Sequence, residues 1–153
     1  MEASVGTDSR QYLVFKLGNE EYGLDIRKVT TIIEKNMIIA RVPQTPDFIK
    51  GVINLRGEII PVMDLRKRFD LPQVDDTEDT RIIIIKVEEI ALGLIVDSVS
   101  EVIELSDDSI ENIASFSNEL SMDYVFGAAK LQNRIVTLIN LDKLIILQDS
   151  NES

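Results

Sequence analysis

The stretch that decides the fold is "GVINLRGEIIPVMDL", residues 51–65, because "GAAKLQNRIVTLINL", residues 127–141, repeats its pattern of glycine, leucine and aliphatic positions. A second pair recurs in the same order, since "GLDIRKVTTII" (23–33) is matched by "GLIVDSVSEVI" (93–103). Two matches in order favour an internal structural repeat over a shared β composition. The sequence therefore predicts one organisation that is built twice.

The repeated segments are β-branched runs of strand length that are bounded by turn residues. Each half contains about five short strands, and so small a set buries one face best by curling into a barrel. The prediction is an all-β fold of two small β-barrel lobes that meet at a seam. The acidic, turn-rich stretch "FDLPQVDDTEDT" (69–80) is the predicted crossing point between the lobes.

Helix signals are few and short. The sequence predicts short helices at "DLRKRFDL" and "NLDKLIIL", and either a helix or a turn at "SDDSIENIA". Residues 1–10 and 149–153 are polar and are predicted to be flexible tails.

Composition narrows the function. The net charge is −11, from 16 Lys and Arg against 27 Asp and Glu, so nucleic acid and anionic membrane surfaces are not expected as partners. Neither cysteine nor histidine is present, which removes disulfides, thiolate chemistry and the commonest general base. "MEASVGTDSR" at the start is no secretory signal, and "RIIIIKV" is too short to span a membrane. The chain is therefore expected to be cytoplasmic, without direct membrane insertion.

Carboxylates beside predicted strands, at Asp64, Asp97 and Asp142, raise the alternative of an enzyme or of an oxygen-ligated metal site. No convergent motif accompanies them, so they are interpreted as caps of strands and helices. No catalytic, cofactor-binding or metal-binding residue is predicted.

The turn in the first repeat carries an unexplained arginine. Gly57 and, in the second repeat, Asn133 are the residue types that most readily take a positive φ, so both turns are expected to form there. Gln132 stands where the first repeat has Arg56, so the turn does not require an arginine. Arg56 is either a solvated hairpin tip or a presented guanidinium that suits a carboxylate on a partner, with Asn54 on the same strand face.

From "YLVFKLGNEEYGLDIRKV" through "FIKGVINLRGEIIPVMDLR" to "LINLDKLI", residues 12–147, the sequence resembles the CheW family of bacterial chemotaxis coupling proteins. The resemblance implies a single CheW-like domain, residues 11–148, whose two lobes are five-stranded SH3-like barrels packed on a shared hydrophobic core. It also implies a non-enzymatic adaptor that couples membrane chemoreceptors to a histidine kinase. Such an adaptor is recruited to receptor arrays at the inner face of the membrane.

The resemblance extends to single positions that contact the cytoplasmic tip of chemoreceptors. The family's "NLRG" segment falls on Asn54, Leu55, Arg56 and Gly57, and Val29 matches a position tied to receptor coupling. Many members carry an acidic residue in place of Thr31 that can pair with the arginine, and Glu34 is a possible substitute here. Further receptor contacts are expected across the groove between the two lobes, at Val96, Val99 and Val102 of the second lobe.

A second partner surface is expected on the first lobe, for the regulatory domain of the histidine kinase CheA. "NMIIARVP" (36–43) holds more aliphatic residues than one buried strand face requires, and its candidate contacts are Met37, Ile38, Ile39 and Val42. The stretch is either a doubly buried strand or an exposed apolar edge. The alternative function is a small-molecule sensor that uses the inter-lobe groove, although aromatic residues make up only 5% of the chain.

Overall fold

The computed structural model describes residues 9–35, 37–111 and 124–145. The strands are β1 (Ser9–Leu17), β2 (Glu20–Asp25), β3 (Val29–Glu34), β4 (Ile49–Leu55), β5 (Glu58–Asp64), β6 (Arg81–Val87), β7 (Ile90–Val96), β8 (Ser98–Ser106), β9 (Ile110–Glu111), β10 (Val125–Leu131) and β11 (Arg134–Ile139). The helices are α1 (Leu65–Arg68) and α2 (Leu141–Leu144), with 3-10 turns at Ile26–Lys28 and Asp107–Ser109. In these ranges no helix has the length and apolarity that a membrane span requires.

The strands form two sheets, and the predicted all-β, two-lobed fold is confirmed. Sheet A has the order β8-β1-β2-β11-β10-β9, and sheet B has the order β3-β6-β7-β5-β4. Sheet B is five-stranded as predicted, whereas sheet A gains the two-residue strand β9. If β1 to β5 are matched in order with β6, β7, β8, β10 and β11, the order of one sheet becomes that of the other. The repeat seen in the sequence is therefore a structural repeat.

The predicted crossing point at 69–80 is wrong, because this connector joins β5 to β6 within sheet B. The chain crosses at Ile26–Lys28, between β2 and β3, and again at Asp97, between β7 and β8. The first connection is a 3-10 turn and the second is a single residue, so neither is a two-residue hairpin turn, and the chain runs on into the other sheet. Sheet A thus combines β1 and β2 with β8 to β11, and sheet B is the continuous stretch from β3 to β7.

The buried apolar side chains of the described residues form three clusters. The A cluster lies within sheet A and contains Tyr12, Val14, Leu105, Ala129, Val136 and Leu138. The B cluster lies within sheet B and contains Ile53, Ile60, Val62, Ile82, Ile84 and Ile95. The seam cluster takes residues from both sheets: Leu13, Phe15, Leu17, Leu24, Phe48, Met63, Leu65, Ile83, Ile85, Val87, Leu92, Leu94, Val96, Ile139, Leu141 and Leu144.

Alternation along the strands explains this shared core. In "RIIIIKV", Ile82 and Ile84 enter the B cluster while Ile83 and Ile85 enter the seam cluster. Successive side chains of a strand point to opposite faces, so a strand between two cores is apolar on both. The unbroken isoleucine run is thus the signature of a strand that lies between a lobe interior and the seam.

The predicted tails and the segment "SDDSIENIA" differ in part from expectation. The predicted tail at 1–10 ends earlier, because Ser9 and Arg10 already pair with Ser106 and Leu105 of β8; residues 1–8 and the predicted tail at 149–153 lie outside the described residues. Of "SDDSIENIA", the part up to Glu111 is a 3-10 turn followed by β9, and the rest lies outside the described residues.

Candidate functional site

The hairpin tip, defined as Asn54 to Gly57, joins β4 to β5 through a two-residue turn. Leu55 pairs with Glu58, and φ is 56° at Arg56 and 87° at Gly57. Two successive positive φ angles are the geometry that follows the right-handed twist of a tight hairpin. The N–H of Gly57 donates to Oδ1 of Asn54 at 2.9 Å. Asn54 therefore holds the turn and presents Arg56 beyond it.

The guanidinium of Arg56 is exposed and makes no hydrogen bond or ion pair with any residue in the described ranges. The possible pair with Glu34 is absent. A register shift between Val29 and Thr31 is followed by regular pairing up to Glu34, so Thr31 and Glu34 lie on opposite faces of β3. The five donors of Arg56 remain available to a partner.

The equivalent turn in sheet A differs in its backbone and its charge. The prediction that Asn133 takes the positive φ is wrong, because the left-handed residue is Gln132, with φ of 49°. The first of the two turn positions is thus strained in both hairpins, whatever its residue type. The nearby cation, Arg134, pairs with Glu21 at 3.3 Å and also with Glu101. The cation of this hairpin is held within its lobe, whereas Arg56 is not.

The apolar segment, defined as Met37, Ile38, Ile39 and Val42, is neither a doubly buried strand nor a regular edge strand. Met37 and Ile39 are half-buried and pack against the B cluster, while Ile38 is 89% exposed. Within the described stretch 37–42, Ala40 alone bridges to the sheet, by paired hydrogen bonds with Val52 of 2.9 and 2.8 Å. The segment anchors itself with two side chains and leaves Ile38 and Val42 facing solvent.

The other predicted receptor contacts are spread over the fold. Val29 and Val99 are half-buried against the seam cluster, and Val96 is a member of it with 1% exposure. Val96 therefore supports the seam and has no surface for a direct contact. Thr31 is half-buried on β3, and Val102 of β8 is 48% exposed on sheet A. Val29, Val96 and Val99 meet at the seam, whereas the hairpin tip lies on sheet B.

The two predicted partner surfaces are joined through the B cluster. Leu55 of the hairpin tip packs against this cluster, as do Met37 and Ile39 of the apolar segment. A change in the packing of sheet B would therefore reach both surfaces.

An ion pair between Arg66 and Asp97, called the latch below, joins the lobes at the second crossing. The guanidinium of Arg66 binds Asp97 through Nε at 3.0 Å and Nη2 at 2.6 Å, and Asp97 also accepts the N–H of Gly18 at 2.7 Å. Arg66 follows β5 of sheet B, and Gly18 follows β1 of sheet A. The hydrogen bonds from Arg66, and then that from Gly18, lower the pKa of Asp97.

Of the three carboxylates predicted to be caps, Asp64 acts as one, because it accepts the N–H groups of Arg66 and Lys67 at the start of α1. Asp97 binds Arg66 and the N–H of Gly18 instead, and Asp142 lies in the first turn of α2, where Asn140 accepts the N–H of Lys143. Among the described residues no group of three or more acidic, His or Cys side chains is placed to hold a metal ion.

The cavity beside the latch is small. It measures about 40 Å³ and is lined by Asp64, Arg66, Thr80 and Asp97, among others. A drug-sized ligand needs about 300 Å³ or more. This cavity therefore gives no support to the small-molecule sensor.

The sequence reasoning missed a cationic groove, defined as the groove of about 510 Å³ that Arg41, Lys50 and Lys67 border. Val42, Pro43, Pro46 and Ile49 also line it. The three cations are far apart in the sequence, so no run of charge marks them. The fold brings them together around one groove.

Comparison with known proteins places this architecture in a family. The profile of the CheW-like domain matches residues 11–148. The chain belongs to the CheW family. Chemotaxis protein CheW of Klebsiella aerogenes is 40% identical over 91% of this chain and 83% of its own length. The CheW of Bacillus subtilis is 34% identical over 100% of this chain and 97% of its own length. The crystal structure of the scaffolding protein TtCheW from Thermoanaerobacter tengcongensis, 40% identical, superposes with a TM-score of 0.84 over 92% of this chain and 95% of that one.

Proposed function

We propose that this chain is a non-enzymatic adaptor of bacterial chemotaxis, which couples membrane chemoreceptors to the histidine kinase CheA. The observation that carries the proposal is the CheW-like match across residues 11–148, which contains both lobes and both candidate surfaces. The relatives that span most of its length are named as chemotaxis proteins, and one is described as a scaffold. The adaptor works in the cytoplasm, at receptor arrays on the inner face of the membrane.

The receptor's cytoplasmic tip binds at the hairpin tip and at residues of the seam. Arg56 supports this role because it is exposed and has no partner within the described residues. A guanidinium that forms its ion pair only in the complex adds specificity through its planar, bidentate geometry. Val29, Thr31, Val99 and Val102 complete the proposed receptor surface, and Val96 supports it from within.

The kinase regulatory domain binds at the apolar segment. Ile38 is the main argument, since a large aliphatic side chain that is 89% exposed gains free energy when a partner buries it. Met37 and Ile39 keep the segment in place by packing on the B cluster, and Val42 extends the exposed patch.

Reconstitution of kinase activity tests the adaptor. Autophosphorylation of CheA is measured with receptor fragments, in the presence and absence of this chain. We expect stimulation only when all three components are present. Stimulation by receptor fragments alone, or none with the complete set, would rule out the coupling role.

Substitutions then separate the two surfaces. Ile38→Ser is expected to weaken kinase binding and to spare receptor binding. Its matched control is Ile135→Ser, because Ile135 is a 60% exposed isoleucine on sheet A, outside both surfaces. Equal effects of the two substitutions on kinase binding would remove the apolar segment from the interface.

A further inference from the structure

The cationic groove is out of keeping with the charge of the molecule. The whole chain carries −11, yet the residues that line this groove include three cations, Arg41, Lys50 and Lys67, against one carboxylate, Asp47. All three cationic side chains are exposed, and none makes an ion pair or side-chain hydrogen bond with a described residue. The groove is therefore a local positive site within a negative molecule.

The loop that forms the groove holds its own shape. The N–H of Ile49 donates to the carbonyl of Pro46 at 2.9 Å, and Oγ1 of Thr45 donates to the carbonyl of Val42 at 3.0 Å. Pro43 and Pro46 fix their own φ angles. A groove that is already formed spends little entropy on ordering when a ligand binds.

We propose that the cationic groove binds a short, extended, acidic segment of a partner protein, in which carboxylates flank an aliphatic side chain. The carboxylates pair with Lys50, Lys67 and Arg41, and the aliphatic side chain packs on Val42 and Ile49. The volume of about 510 Å³ suits a few residues of an extended chain. The proposal goes beyond the adaptor function, because the three cations of the groove belong to neither proposed partner surface.

Charge selects this class of ligand over nucleic acid and membrane. A polyphosphate strand or an anionic bilayer extends past the groove and meets the net negative charge of the rest of the chain. A short acidic segment carries few charges and can place them all within the groove. The net negative charge of the chain also disfavours binding of an acidic segment at other sites.

Fluorescence anisotropy on the full chain tests the proposal. The probe is a fluorescein-labelled peptide of alternating Glu and Val, and a peptide of alternating Lys and Val is its control. We expect only the Glu peptide to bind, with an affinity that falls as salt is raised. Lys50→Glu and Lys67→Glu should each weaken binding about tenfold or more, because each replaces a charge-assisted contact with repulsion.

The repeat supplies the matched control variant. Lys143 is the third residue of α2, as Lys67 is of α1, and it is exposed. Lys143→Glu makes the same change in net charge away from the groove and should leave the affinity unchanged. An equal loss with Lys143→Glu, no binding at millimolar peptide, or tighter binding of an oligonucleotide or of phosphatidylglycerol vesicles would overturn the proposal.

Kinase stimulation by the same variants is scored separately. Weaker peptide binding with normal stimulation supports the groove and shows that the adaptor does not depend on it. Unchanged peptide binding would overturn the proposed peptide site and would not affect the proposed adaptor function.

Discussion

At the residue scale, Arg56 occupies a backbone conformation that costs an L-residue about 1–2 kcal/mol. The same positive φ at Gln132 shows that the cost belongs to this position of the turn and not to the arginine. The choice of a guanidinium at Arg56 therefore needs another reason, and its lack of partners among the described residues points outward. Sequence alone left open whether Arg56 is a solvated tip or a group presented to a partner. It also left open a pair with Glu34, which depended on whether β3 is a regular strand.

We expect Arg56→Ala to change the free energy of unfolding by no more than about 1 kcal/mol, since an exposed side chain is lost and the backbone is unchanged. The free energy of binding to receptor fragments should weaken by about 2–5 kcal/mol, which is a loss of affinity of about thirtyfold or more, if the partner carboxylate becomes buried. Melting temperature and receptor-fragment affinity measure the two effects.

Gln132→Ala is the control for this substitution, because it alters the equivalent turn of the other lobe. It should leave both quantities nearly unchanged. Receptor affinity that survives Arg56→Ala would make Arg56 a solvated tip with no part in binding.

The latch between Arg66 and Asp97 makes a pH-dependent contribution to stability. The pKa of Asp97 is lowered in the folded state, so the pair stabilises the fold above the ordinary carboxyl pKa of about 4. This stability is lost as pH falls below about 4 and through the lowered pKa. Asp97→Asn should therefore cost about 1–3 kcal/mol at neutral pH, and the difference from wild type should narrow under acid.

Chemical denaturation of both proteins across this pH range measures the difference. Asp142→Asn, an exposed position in α2, is the control and should show little effect at any pH. A cost for Asp97→Asn that stays constant into acid would show that shape, and not charge, holds the latch.

At the element scale, strands and helix starts were well predicted, because β-branched runs and capping residues act locally. The connection between strands was not, since nothing in a short segment states which sheet it joins. Local turn chemistry also placed the strain on the wrong residue of the second hairpin. What fixes these features is packing between segments that are distant in the sequence.

Gly51, Gly127 and Gly57 show the effects of close packing and of backbone strain separately. A Cβ at Gly51 would overlap the carbonyl oxygen of Ala40, and its φ is 154°. At Gly127 a Cβ would lie 2.8 Å from the carbonyl oxygen of Glu111, without an unfavourable φ. At Gly57 φ is 87°, and the Cβ would meet nothing within 4 Å.

We expect the loss of stability on substitution by alanine to depend on which of these two effects is present. Gly57→Ala should cost about 1–2 kcal/mol from strain alone, and Gly127→Ala about 1–3 kcal/mol from overlap alone. Gly51→Ala combines both and should cost about 3 kcal/mol or more. Urea unfolding measures the series, and a cost at Gly51 no larger than that at Gly57 would show that the contact with Ala40 yields easily.

At the scale of the whole molecule, each sheet takes strands from both halves of the sequence. The resemblance and the repeat predicted two lobes on one core, but the repeat could not show that the halves exchange strands. Parallel pairing of β2 with β11 and of β5 with β7 brings distant segments together. The two lobes are therefore expected to unfold together.

Cleavage in the connector tests this interdependence. A protease site placed in the exposed stretch 72–79 leaves two fragments, each with strands of both sheets. We expect the fragments to stay together in size-exclusion chromatography and to unfold in one transition. Separated fragments should lose their β-sheet circular dichroism, and two independently folded pieces would contradict the shared core.

Sheet B also has a genetic meaning, because it is encoded by one uninterrupted stretch from Val29 to Val96. Sheet A is encoded on both sides of it. Recombination at the two crossings would exchange a complete lobe as a cassette, together with the hairpin tip, the apolar segment and the cationic groove. The recipient would keep its own sheet A, and only the residues that face the seam would have to match. The part of partner preference that lies on sheet B would be inherited as a unit, whereas Val99 and Val102 of the proposed receptor surface would stay with sheet A.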